Sequence, residues 1–200
     1  MTDGDLDGDD VLVAVDLHLV STLGPDAGRA GISFVGTDRI DVARFHGHDG
    51  LVHYVTLGMA RAPLPEPTAT VVETVSGPRA ELVLTLRRRE DSVVRRLAIV
   101  AAAPVVEGLR LVPGASVDLR QPLWDGAPFT GLLIAQPRAL VPDLPLEPDA
   151  DGRQRGPVSF LPVIPLLPAE VALKREQGTA ALEERWLLSG TDLRDPDRAF

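Results

Sequence analysis

Apolar residues recur every four positions at Val11, Val15, Leu19 and Leu23. That spacing predicts a helix over residues 11–23 with one buried stripe, and Gly24-Pro25 ends it. His18 lies beside the stripe and reads as a packing or hydrogen-bonding imidazole. The pattern then changes period. Gly31–Val35, Arg39–Phe45 and Leu51–Leu57 read as strands, the first two joined by Gly36-Thr37-Asp38 as a hairpin loop. Arg79–Leu86 is the next strand. Its opening Glu81 precedes an apolar run and needs a partner, because an unpaired buried charge is costly. The turn at Gly58-Met59 is the expected source of hydrogen bonds.

Asp91-Ser92 starts a helix of about residues 91–103. Val93, Val94, Leu97, Ala98 and Ala101 point inward, and Arg95 and Arg96 point out. Ser116–Leu119 and Thr130–Ala135 read as short strands, with Pro104, Gly108, Pro113 and Gly114 breaking the chain around them. Two proline-rich stretches, 61–79 and 137–157, are expected to be exposed loops. Val158–Ile164 reads as a buried strand stopped by Pro165 and Pro168, and Pro168 suits the first turn of a helix. Glu170 complements the positive end of that helix. Val171, Gly178, Leu182 and Trp186 share one helical face. Gly178 should cost about 1 kcal/mol against alanine in mid-helix, which suggests close approach to another backbone. Strand, proline corner and helix therefore form one packed unit.

Composition narrows the chemistry. The 200 residues predict one domain: an acidic flexible tail over 1–10, a body over 11–190 and a partly ordered C-terminal tail over 191–200. The fold class is α+β, a mixed, mostly antiparallel sheet flanked by helices. The absence of cysteine excludes disulfides, thiolate zinc sites and a cysteine nucleophile. No apolar stretch reaches the roughly 18 residues of a membrane span, and the acidic N-terminus does not read as a targeting segment. A cytoplasmic protein without a membrane partner is expected. The net charge of −9 comes largely from Asp3, Asp5, Asp7, Asp9 and Asp10. No clustered basic face of the kind that binds nucleic acid is evident. The richness in arginine over lysine, with alanine, glycine and proline, suggests a bacterial genome of high GC content.

Candidate sites are few. Asp3-x-Asp5-x-Asp7-Gly8 matches the first half of a calcium loop, but the twelfth position is Ala14 instead of glutamate. His46-Gly-His48-Asp49 invites a metal reading, yet its spacing places it in a tight turn without a further ligand pattern. No metal or cofactor is expected. Gly-x-Gly-x-x-Gly, Walker, Gly-x-Ser-x-Gly and His-Glu-x-x-His motifs are absent. Arg95 and Arg96 could meet an acidic partner.

Several pieces together resemble one family. Thr56-x-Gly58-Met59, with Ala60 where serine is usual, then Glu81-Leu82, Gly114, Phe160 to Pro165, Glu170 and Gly178 to Leu182 occur in the order and spacing of suppressor of fused (Sufu-like) domains. The resemblance spans roughly residues 11–190. It implies a mixed sheet flanked by helices, with Gly58, Met59, Glu81, Pro165, Glu170 and Gly178 as a structural signature. In eukaryotes the domain is part of a larger protein that binds transcription factors as an extended strand. Bacterial stand-alone members look like immunity proteins that bind and neutralise a toxin.

The expectation is therefore a non-enzymatic protein-binding domain whose partner is another protein, such as a basic toxin, with the oligomeric state left open. The alternative is a hydrolase or transferase using Glu81 with a histidine such as His18 or His53. That alternative requires these side chains to meet around one cavity.

Overall fold

The computed structural model describes residues 3–34, 37–64, 77–137 and 140–200. Gly36 of the expected hairpin loop and most of the proline-rich 61–79 stretch fall outside these residues. Seven strands form one mixed sheet: β1 (Gly28–Ile32), β2 (Ile40–His46), β3 (Val52–Leu57), β4 (Arg79–Leu86), β5 (Ser116–Asp118), β6 (Gly131–Ile134) and β7 (Val158–Leu166). Their order is β1-β2-β3-β4-β7-β6-β5. Every pairing is antiparallel except β4 with β7, which run parallel in the middle of the sheet. The expected α+β class is therefore the observed one.

Two-residue alternation sends side chains to opposite faces, and helices cover both. On one face, α1 (Asp3–Leu23) buries Val11, Val15 and Leu19 against Phe45, Val55, Val83 and Phe160. On the other, α2 (Val94–Glu107) buries Leu97, Ala98 and Ala101 against Tyr54, Leu82, Leu84 and Leu161. Burying the valine, leucine and phenylalanine side chains among these contributes on the order of 1.5–3 kcal/mol each. The third helix, α3 (Pro168–Ser189), packs Val171, Leu182 and Trp186 on Leu133 and Leu166. Leu133 lies on the α1 side of the sheet, since its register neighbour Ile164 alternates with Phe160.

Several expectations need correction. The first helix begins at Asp3, not at Val11, so the Asp3-to-Gly8 stretch is helical and cannot wrap a cation as a calcium loop. Asp9, on that helix, pairs with Arg61 at 2.6 Å. α2 continues through Pro104 and closes at Gly108. β7 continues through Pro165 to Leu166. Proline is tolerated there because the parallel pairing with β4 ends at Val163, so Pro165 has a ladder only on its β6 side. The 137–157 stretch is pinned in part, with Val141 buried and Leu144 bridged to Val158.

Gly178 does not sit in continuous helix against another backbone. It is exposed, its φ of 88° and ψ of 175° interrupt α3, and a Cβ there would meet nothing within 4 Å. Its freedom serves the kink. The closing residues also dock on the body: Arg87 N–H donates to the Arg194 carbonyl at 2.9 Å, and Arg198 is buried.

Candidate functional site

The signature residues assemble into two separate buried networks. In the first, Glu81 on β4 faces the α1 side and is fully enclosed. Its Oε2 accepts the Thr56 hydroxyl at 2.5 Å, and its Oε1 accepts the backbone N–H groups of Gly58 at 2.8 Å and Ala60 at 3.0 Å. The Thr56 oxygen in turn accepts the Leu82 N–H at 2.8 Å. A sharp turn aims those N–H groups at one point. Gly58 reaches a φ of 141°, and a Cβ there would lie 2.8 Å from the Arg39 carbonyl oxygen, so glycine is required. Met59 is buried beside it in the core. Burial pushes the Glu81 carboxyl above its ordinary range, opposed by the Thr56 hydroxyl and the turn's N–H groups.

In the second network, Glu170 opens α3 and is also fully buried. Arg198 grips it through both guanidinium Nη atoms, one at 2.8 Å. Trp186 Nε1 donates at 2.6 Å and the Leu167 N–H at 2.8 Å. Arg198 also donates to the Pro165 carbonyl at 2.6 Å and lies over the Phe129 ring. Pro165 thus presents an acceptor to the same arginine that neutralises Glu170.

The histidines go elsewhere. His18 stacks on Phe160 with ring centres 5.5 Å apart, and its Nε2 meets the Pro142 carbonyl at 2.8 Å. His53 Nδ1 meets Thr85 Oγ1 at 2.8 Å, and burial followed by the charge of His48 lowers its pKa. A mostly apolar cavity of about 300 Å³ opens beside it, with Val83, Thr85, Phe160 and Pro162 in its wall. Glu81 and His18 do not line that cavity. Among the described residues, no histidine is hydrogen-bonded to Glu81. His48 and Asp49 form a single turn between β2 and β3.

A different surface presents chemistry to solvent. β1 is one of the two edge strands, β5 being the other, and pairs only to β2 among the described residues; Arg29, Ala30 and Gly31 at its centre are exposed. Between β1 and the N-terminal end of α2 runs a groove of about 450 Å³ lined by Arg29, Arg44, Arg89 and Arg95, with Asp91 its only carboxylate among the described residues. Arg95 has no hydrogen bond or ion pair among the described residues. Arg96 bonds only neutral acceptors, Gln121 Oε1 at 2.6 Å and the Pro122 carbonyl at 3.2 Å. The exposure of β1 could not be read from the sequence, because an edge strand and an inner strand of that length have the same pattern.

Comparisons with known proteins place this arrangement. The family model described as suppressor of fused protein matches residues 36–199. A candidate suppressor of fused homologue from Neisseria gonorrhoeae FA 1090 superposes with a TM-score of 0.65 at 16% identity, over 96% of each chain. The Sufu–Fu complex gives 0.63 at 16% identity, over 97% of this chain and 91% of that one. Drosophila Suppressor of Fused gives 0.62 at 18% identity, over 94% of this chain and 50% of that one. No curated protein sequence matches the chain. At these identities the structural likeness speaks for the fold.

Proposed function

Because the chain belongs to the suppressor of fused protein family, we propose that it is a non-enzymatic protein-binding domain, of the immunity type, that neutralises a partner toxin in the bacterial cytoplasm. The observation that carries this reading is the edge of β1, which among the described residues has no strand on its outer side and offers backbone donors and acceptors for an added strand. A relative of the same fold was solved as a Sufu–Fu complex, which makes protein binding the natural use of such an edge. The net charge of −9 favours approach by a basic partner.

The hydrolase or transferase alternative has less support. Both Glu81 oxygens are already bonded to protein donors, and His18 and His53 are bonded to other groups. Gly58, Met59, Glu81, Pro165, Glu170 and Gly178 serve structure in this reading, and Arg95 and Arg96 belong to the binding surface.

Co-purification from the native cell should recover a protein whose toxicity is relieved when this chain is co-expressed. Successive N–H groups along β1 point alternately toward β2 and toward the open edge. Of Ala30→Pro and Gly31→Pro, therefore, one should stay folded and lose the partner. A folded variant of each that still captures the same protein would sink strand addition. A captured protein whose toxicity is unaffected would sink the immunity role.

A further inference from the structure

The groove beside β1 has a chemical preference that open edges in general lack. Its floor is the cross-strand pair Arg44 and Tyr54. Asp91 ties the pair down, receiving Arg44 Nη1 at 2.7 and 2.6 Å on its two oxygens and the Tyr54 hydroxyl at 3.2 Å. The rim is built from Gly28 and Ala30, which are too small to fill the space between β1 and α2. The charges around it are unequal. Arg29 is held by Asp16 at 2.5 Å and Asp26 at 2.8 Å, and Arg44 and Arg89 share Asp91. Arg95 stands on the wall with no counter-ion among the described residues, at the positive end of α2.

A strand added to β1 would continue the two-residue alternation of the sheet. Every second side chain of that strand would lie on the α2 face, beside Gly28 and Ala30 and over the groove. An apolar side chain there would desolvate guanidinium groups without return. A carboxylate would make charge-assisted hydrogen bonds with them.

We propose that the groove seats an acidic β-strand of a partner protein, paired to the free edge of β1, with an aspartate or glutamate directed at Arg95 and Arg89. This rests on strand addition as the binding mode, and adds the chemistry of the incoming segment. A partner that is basic overall can carry such a segment, since the groove reads only alternate side chains of one strand.

The test is titration calorimetry of the full chain with an end-blocked peptide alternating glutamate with valine. The same peptide with glutamine for glutamate should bind about tenfold more weakly or worse. Arg95→Glu should weaken the glutamate peptide by a similar factor and gain affinity for a lysine–valine peptide. Equal binding of the glutamate and glutamine peptides, or an unchanged affinity in Arg95→Glu, overturns the acidic preference. If backbone N-methylation of the peptide still abolishes binding in that case, strand addition survives. Unchanged binding of the N-methylated peptide, or its full displacement by free glutamate, overturns the proposal in favour of a small-anion site and removes strand addition with it.

Discussion

Glu81 and Glu170 are both fully enclosed, yet their charges are met in opposite ways. Glu81 is surrounded by neutral donors, a hydroxyl and two backbone N–H groups delivered by one glycine turn. Glu170 holds a guanidinium with both oxygens and takes an indole N–H and a backbone N–H besides. The first arrangement is local to β3, β4 and the turn between them. The second joins the start of α3 to Arg198, 28 positions away. A carboxylate met by dipoles should be sensitive to pH and to the turn that holds those dipoles. One met by a cation should be sensitive above all to the loss of that cation.

The largest effect is expected at Arg198. Arg198→Ala leaves Glu170 fixed in the first turn of α3 with its charge uncompensated, which should destabilise by about 3–5 kcal/mol. Glu170→Ala should cost less, because the freed arginine borders an open pocket with Ser189, Asp192 and Phe200 and can turn toward water. Urea unfolding of the two variants checks the ordering, and equal losses would mean that Arg198 is as confined as Glu170. Glu81→Ala comes next. It strands the Gly58 and Ala60 N–H groups and opens a cavity, at about 3 kcal/mol. Thr56→Val should cost about 2 kcal/mol, since it removes one donor to Glu81 and the acceptor of the Leu82 N–H.

Much of the first network was legible in the sequence, and little of the second. The strand over Arg79–Leu86 has the predicted bounds, because an apolar run between Pro78 and three arginines has one reading. A glutamate opening that run demands donors, and Gly58 marks the turn able to aim them. Glu170 was visible as a helix-start acid, which is a local role. Its cation was not visible, since Arg198 sits in a polar stretch whose contacts depend on how the chain returns over the body. The start of α1 was hidden by alternating aspartate and glycine, which are poor helix formers. Proline misled at Pro165, where tolerance depends on which neighbouring strand has already ended. The groove beside β1 was outside the reach of periodicity altogether: Arg95 read only as part of an exposed helical face, and the strand order is what places β1 beside it, whereas Arg96 turns away to Gln121 and Pro122.

Glu81 should also leave its mark on the pH dependence of stability. The folded Glu81 carboxyl is held above its ordinary value of 4.5 by burial. Below that value folded and unfolded chains are both protonated, and the full stability is present. As pH rises through it the unfolded chain ionises first, so stability falls until the folded group ionises as well. Glu81→Gln should cost about 1 kcal/mol at low pH, since its carbonyl keeps the two backbone donors, and should flatten this decline. Unfolding midpoints taken from about pH 5 upward avoid Asp91, whose pKa of about 2 removes stability only on the acid side of its ordinary 3.8. An unchanged slope in Glu81→Gln would mean that another buried group sets the pH dependence.

The smallest difference is the most discriminating. Trp186→Phe keeps the ring in the α3 core but deletes the one indole donor to Glu170. If the cation dominates that network, the two Arg198 bonds and the Leu167 N–H remain, and the loss should stay near 1 kcal/mol. That is about half the loss expected for Thr56→Val, which removes a neutral donor from a buried carboxylate and the acceptor of the Leu82 N–H as well. A loss at Trp186→Phe equal to or larger than that at Thr56→Val, with the variant still packed by near-ultraviolet circular dichroism, would show that the indole rather than the guanidinium carries Glu170. The proposed contrast between a charge held by dipoles and a charge held by a counter-ion would then fail.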